Sequence, residues 1–232
     1  MSDEIYYHND EASSSVIVRC IRKFVRGNVL EVGAGIGNIT SRLSEAADSV
    51  LAIEPSPELF EQLQRATAEL KNTEVSRSTT KDLVSAGLRN QFDVVVYFNV
   101  LEHIKDDSAE LSLARELMTP NSYLVILVPA HQWLYSKIDR MTGHHRRYSK
   151  KSITTCVQKE FDIIALWNFD TFGLLPYWIV YKLLGSVSVT GVSAKIYSQV
   201  ILRLSLFMFY LSGGRAIGKN LIVVAVPKSQ IS

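Results

Sequence analysis

An α/β fold, a doubly wound open sheet, is what the 232-residue sequence predicts on three observations. Strand-like apolar runs alternate with helical segments, as they do where helices cover both faces of a sheet. One run passes straight through a glycine-rich turn into a helix. Another, residues 92–98 (FDVVVYF), is a continuous β-branched stretch of the kind buried on both sides of a parallel sheet.

Residues 1–27 read as an N-terminal helical segment, in which a serine cluster suited to capping precedes Val16, Cys20 and Phe24 at helical spacing. Residues 28–32 form the first strand and lead into GAGIG. Asn38 then offers an N-cap for a helix with Ile39, Leu43, Ala46 and Ala47 on one face. Residues 49–54 form the second strand. Ser56, Pro57 and Glu58 follow as N-cap, first-turn proline and first-turn acid of a helix that turns Leu59, Leu63, Ala66 and Leu70 inward. Residues 74–78 give a weak third strand and 92–98 a strong fourth. Asp106, Asp107 and Glu110 start the next helix, with Leu111, Ala114, Leu117 and Met118 inward, and Pro120-Asn121 turns the chain into a fifth strand at 123–128. Strands at 161–167 and 221–226 make seven. Between them, residues 171–212 carry only Lys182, Lys195 and Arg203 as charges. This stretch reads as an apolar helical insertion that packs on the domain or covers its site, because its uninterrupted apolar windows are short of the ~20 residues of a membrane span.

With no internal repeat and no linker, residues 1–232 are expected to form a single domain. Hydrophobic residues make 47% and charged residues 21%, enough apolar material for a core and unlike a disordered or coiled-coil chain. The net charge of +2 argues against a general polyanion binder, so no nucleic-acid partner is expected. Cys20 and Cys156 fit no CxxC or Cys/His spacing, which predicts reduced thiols and no structural zinc. The polar N-terminus lacks the basic segment and apolar run of a secretion signal, and a cytoplasmic location is expected from it.

Gly33, Gly35 and Gly37 alternate strictly between a strand and a helix, where backbone has to approach a ligand and present amide N–H donors. A dinucleotide fingerprint needs glycine at position 38, which is Asn38, so the spacing disfavours NAD. Glu54 ends the second strand, seventeen positions past Gly37, and a carboxylate there suits a ribose diol. Loop and acid together point to a nucleoside ligand.

These segments resemble the class I S-adenosylmethionine-dependent methyltransferases, in the small-molecule branch with an N-x-L-E-H element. VLEVGAGIG resembles their first motif, VLAIEPS their second and FDVVVYFNVLEHIKDD their fourth. The resemblance implies a Rossmann-like, mostly parallel seven-stranded sheet whose last strand is antiparallel. It implies S-adenosylmethionine as cofactor, leaving as S-adenosylhomocysteine. By position, Glu31, Gly33, Gly35 and Gly37 face the methionine moiety, Glu54 with Pro55 takes the ribose, Asp82 with Leu83 meets the adenine, and Asn99 and Val100 line the sulfonium. STTKDL around Asp82 departs most from the family pattern.

Methyl transfer from a sulfonium is an in-line displacement that needs alignment, exclusion of water and, for a protonated acceptor, a base. His103 follows the fourth strand by one turn and suits a base, or else holds the loop or caps the next helix. Residues 129–151, after the fifth strand, form a basic acceptor-side segment with three of the five histidines, six Lys or Arg and one acid, Asp139. Its P-A-H…D…G-H-x-R-R-Y-S arrangement resembles methyltransferases of natural-product, lipid and surface-sugar pathways. His144 and His145 are candidate bases. His131, Trp133, Tyr135, Arg146, Arg147 and Tyr148 are candidate acceptor-binding residues, the two guanidinium forks suiting carboxylate or phosphate; the alternative is a solvated face. His144 and His145 are adjacent rather than four apart and no acid pair is near them in sequence, so no metal is expected.

The expected function is methyl transfer to an oxygen of a small, anionic acceptor, with nitrogen and carbon acceptors left open. A cofactor-binding module without catalysis is a competing reading. A third is a peripheral membrane protein, a lipid or quinone methyltransferase, whose residues 171–212 lie in the membrane interface.

Overall fold

A computed structural model describes residues 11–186 and 197–229. Its seven-stranded sheet has the order β3-β2-β1-β4-β5-β7-β6. The strands are β1 Asn28–Val32, β2 Ser49–Ile53, β3 Thr73–Ser76, β4 Phe92–Phe98, β5 Met118–Pro129, β6 Phe161–Phe169 and β7 Asn220–Pro227. β1 to β5 run parallel, and β7 lies antiparallel between β5 and β6. All seven expected strands are present, and the doubly wound fold is the one the sequence predicts.

Helices cover both faces. On one side, Leu30, Val95 and Tyr97 meet Leu83 of α4 (Thr80–Ser85), Leu111 and Leu117 of α5 (Asp107–Leu117) and Ile153 of α7 (Lys150–Val157). On the other, Val29, Val94 and Val96 meet Ile21 of α1 (Glu11–Ile21), Leu43 of α2 (Thr40–Ser44) and Leu63 of α3 (Pro57–Thr67). Val94, Val95 and Val96 are fully buried, each contributing about 1.5–3 kcal/mol of apolar transfer free energy. That two-sided burial is why β4 has no polar alternation to read.

Several boundaries differ from expectation. The first helix ends at Ile21 in a 3-10 turn, Arg22–Phe24. Asn38 does not cap α2, whose N-cap position is Ile39 with no side-chain cap. Of the apolar face read for α3, Leu63 is buried while Ala66 is exposed. Pro120-Asn121 lies within β5 because Phe92 already pairs with Met118, and a register shift absorbs the next residues before Val94 meets Tyr123. α4 was not anticipated; its start is a capping box between Thr79 and Asp82.

The apolar insertion contains α8 (Leu174–Tyr177), which continues as π-helical turns over Trp178–Leu183, and α9 (Leu202–Ser212) after a π turn at Tyr197–Ile201. Part of the expected insertion, residues 187–196 with Gly191 and Lys195, lies outside the described residues, as do residues 1–10 of the N-terminal segment. Leu202 and Phe209 of α9 are buried against the α1 side of the sheet. Tyr177 packs with Leu134 and Ile138, the latter on α6 (Lys137–Met141).

Candidate active site

A cleft of about 830 Å3 opens where β1, β2 and β4 end, the sheet edge at which doubly wound folds place their ligands. The glycine loop and Glu54 lie at one end, and Arg147, Tyr177 and Lys219 at the other.

The loop owes its shape to three positive φ angles: 67° at Gly33, 58° at Gly35 and 86° at Gly37. At Gly33 a Cβ would also stand 2.6 Å from Val100 Cγ2, so the backbone of the β1 exit and the β4 exit meet only because Gly33 lacks one. Glu54 stitches the loop to the tip of β2. Its Oε2 accepts from Gly35 N at 2.9 Å and its Oε1 from Ser56 N at 3.0 Å. Glu31 is buried and accepts from Thr40 Oγ1 at 2.6 Å. Burial pushes its carboxyl up to about 8, with the neighbouring Glu54 adding to the rise against the Thr40 bond.

Pro55 lines the cleft beside Glu54, and Asn99 and Val100 line it just past β4. Asn99 takes a left-handed φ of 55°, a conformation an asparagine tolerates and other non-glycine residues occupy at a cost of about 1–3 kcal/mol. Asp82 is placed differently from the expectation. Its carboxylate accepts from Thr79 N at 2.8 Å and Thr79 Oγ1 at 2.7 Å, capping α4, while Ser78, Thr79 and Thr80 border the cleft. Those bonds hold the Asp82 carboxyl below its ordinary range. Leu83 is a core residue.

Residues 129–151 are built around Asp139. In the α6 capping box its Oδ2 accepts from Ser136 N at 2.8 Å and Ser136 Oγ at 3.0 Å. The same oxygen accepts from the Tyr177 hydroxyl at 2.9 Å, and Oδ1 accepts from Arg147 Nε at 2.8 Å and hydrogen-bonds His144 Nδ1 at 2.9 Å. Burial alone would raise this carboxyl, but the His144 bond, the Arg147 charge and the Ser136 bonds outweigh it and hold it well below the carboxylate range. Arg147 is itself buried, with its Nη2 on the Tyr177 hydroxyl and its ring-facing plane 4.4 Å from the Tyr177 centroid.

Only part of the HHRRY element reaches the cleft. His144 and Arg147 line it; Arg146 turns away, pairing with Asp107 at 2.8 Å and donating to the Lys105 carbonyl, and His145 is exposed. Tyr148 is buried and donates to Asp107 Oδ2 at 2.8 Å, a structural role set by its bridge to Ala130 at the end of β5. His131 meets the Gly218 carbonyl at 2.9 Å, Trp133 is half exposed, and Tyr135 donates to the His144 carbonyl at 2.6 Å, all three outside the cleft wall. The expectation that both guanidinium forks face one ligand is therefore corrected: Asp107 claims the first.

The cleft also holds Glu102 and Lys219, neither among the expected site residues, beside His103, which is. Glu102, in the 3-10 turn Leu101–His103, is fully buried, and among the described residues neither carboxylate oxygen has a hydrogen-bond partner. Burial pushes it up to about 8 although Arg147 pulls it down. His103 stands at the rim, lowered to about 4 by desolvation and by the His144 and His145 imidazoles, against a hydrogen bond to the Thr142 backbone. Its ring meets that of His144 edge-on, centroids 4.6 Å apart. Lys219 reaches the cleft from the start of β7 and pairs with buried Asp170 at 3.3 Å; burial lowers its ammonium against that attraction.

Comparison with known proteins gives a consistent set of likenesses. The profile of a family described as "Methyltransferase domain" matches residues 7–166. An uncharacterized methyltransferase of Bacillus mycoides is 30% identical over 112 residues, which are 48% of this chain and 48% of that protein. The match thus spans about half the length of that curated relative. A putative methyltransferase from Bacillus halodurans superposes with a TM-score of 0.63 at 13% identity, over 94% of this chain and 99% of that one. A SAM-dependent methyltransferase from Archaeoglobus fulgidus gives 0.62 at 18% identity, over 94% of each. At these identities the structural likeness concerns the fold.

Proposed function

The chain belongs to the methyltransferase-domain family, and on that footing we propose that it transfers a methyl group from S-adenosylmethionine to an oxygen of a small anionic acceptor. One observation carries the reading: a single cleft joins the glycine loop and Glu54 to an end where Arg147 and Lys219, each held by a buried aspartate, border the space. The cofactor's ribose meets Glu54 and its methionine moiety the Gly33–Gly37 backbone and Glu31. Its adenine meets the Ser78–Thr80 backbone edge, since Asp82 is spent on the α4 cap. The sulfonium then lies by Asn99 and Val100, pointing its methyl toward the Glu102, His103 and His144 group.

Arg147, Lys219 and the Tyr177 hydroxyl orient the acceptor's anionic part, a small number of placed polar groups on a mainly apolar wall. Alignment supplies most of the acceleration. His144 has its Nδ1 fixed by Asp139, which leaves Nε2 free toward the cleft, and His103 is neutral near pH 7; both are in place to take the acceptor's proton. Calorimetry tests the cofactor half. S-adenosylhomocysteine is expected to bind and NAD is not; binding of NAD with no response to S-adenosylhomocysteine overturns the reading.

The apolar insertion favours a second property, contact with a lipid surface. Leu175, Leu183, Leu184, Phe207 and Leu211 are each more than half exposed. Residues 171–212 contain no acid to repel anionic headgroups. Among the described residues no helix is long and apolar enough to cross a membrane, so the contact would be interfacial. The protein is expected to float with anionic vesicles, and a variant with Leu183→Glu, Leu184→Glu and Phe207→Glu is expected to stay behind. Wild-type protein remaining unbound at low salt would rule the contact out.

A further inference from the structure

Glu102, His103 and His144 come from two separate segments, yet each offers a ligand-type atom within 4.8 Å of the others'. We infer that these three residues form a binding site for one first-row divalent cation of the zinc type, opening into the acceptor end of the cleft.

Glu102 anchors the site. It has no solvent exposure and, among the described residues, neither oxygen has a hydrogen-bond partner, a costly state for a buried carboxyl that a bound cation would relieve. The facing group is His144. Its Nδ1 is engaged with Asp139 Oδ1 at 2.9 Å, which turns the other nitrogen, Nε2, toward Glu102 Oε1 at 4.0 Å. That gap is too wide for a hydrogen bond. It places two lone-pair atoms opposite one another with room for an ion between them. The Asp139–His144 bond is also the outer contact that metal-bound imidazoles almost always make, fixing tautomer and ring plane. His103, tied to the Thr142 backbone through its ring, closes the third side from the rim.

Two imidazoles and one carboxylate suit zinc, iron, cobalt or manganese rather than magnesium or calcium, which prefer all-oxygen shells. Ligands at about 2.0–2.2 Å from zinc lie closer together than these atoms do, so Glu102 and His144 have to draw together and His103 to move in from the rim as the ion enters. Three protein ligands leave a position open. The site's role rests on the methyl-transfer reading: the open position takes the acceptor's hydroxyl, whose proton passes to water. The metal-bound oxygen then forms its bond to the methyl carbon as the S–CH3 bond breaks and leaves its electron pair on sulfur. With the ion bound, His144 and His103 serve as its ligands and water takes the proton; their own proton-taking role is that of the metal-free protein.

The test is equilibrium dialysis of chelator-stripped full-length protein against zinc, with bound metal counted per chain, and the absorption spectrum of the cobalt-loaded form. One ion per chain is expected, with Glu102→Gln, His103→Ala and His144→Ala each weakening it at least about tenfold. His145→Ala, at the neighbouring residue but outside the cleft, is expected to bind as wild type. S-adenosylhomocysteine binding, measured on the same samples by calorimetry, reports separately on the methyl-transfer reading and on folding of each variant. Wild-type protein that binds no ion, or the three variants binding as wild type while still folded, overturns the site.

Discussion

Asp139→Ala is expected to destabilise the protein by about 3–5 kcal/mol, the cost of leaving a buried charge without its partner. The carboxylate accepts from Ser136, Tyr177 and Arg147 and bonds His144, and both it and Arg147 are buried. Removing it strands the Arg147 guanidinium and at the same time undoes the α6 capping box. Asp139→Asn keeps the size and some of the bonds and should fall between the two. Urea unfolding checks this, and a loss below about 1 kcal/mol for the alanine variant would show that Arg147 finds other compensation.

Glu54→Ala is expected to weaken S-adenosylhomocysteine binding about ten- to a hundredfold, the range for losing charge-assisted hydrogen bonds worth about 1.5–3 kcal/mol. The structure adds a reason beyond the ribose. Glu54 pins Gly35 and Ser56, so its loss also loosens the loop that must stay closed around the cofactor. Far-ultraviolet circular dichroism should remain native-like, since the strands and helices do not depend on these two bonds. Unchanged affinity in calorimetry would remove Glu54 from the ribose site.

The parallel half of the fold was legible because its signals are local. The β4 run, the glycine turn and the Ser56-Pro57-Glu58 start each announce their element within a few residues, and Ser56 does accept from Leu59 N. The glycine-loop end of the cleft is built from the same segments. The end of the cleft by Arg147 and Lys219 was only partly legible, because it is assembled from afar. Lys219 and Asn220 enter the cleft since β7 runs antiparallel, so that its first residue pairs with Pro129, the last of β5. A reading along the chain has no means to bring them there. Glu102 had a signal that went unused, an acid one residue before His103 in a turn leaving a buried strand. Arg146 and Arg147 are adjacent in sequence and so looked alike; Asp107 draws one outward while Asp139 draws the other in.

Tyr177 has two faces with different owners. Its ring is set among the side chains that seat the apolar insertion, and its hydroxyl is bonded to Arg147 and Asp139 in the charged wall of the cleft. A displacement of α8 therefore cannot leave the Arg147 guanidinium undisturbed. Seating of the insertion on another surface and occupancy of the charged pocket then draw on one shared free-energy balance, and each must alter the other by the same factor. If the insertion rests on lipid, the affinity for the acceptor becomes a property of where the protein is, and the bilayer acts as its effector.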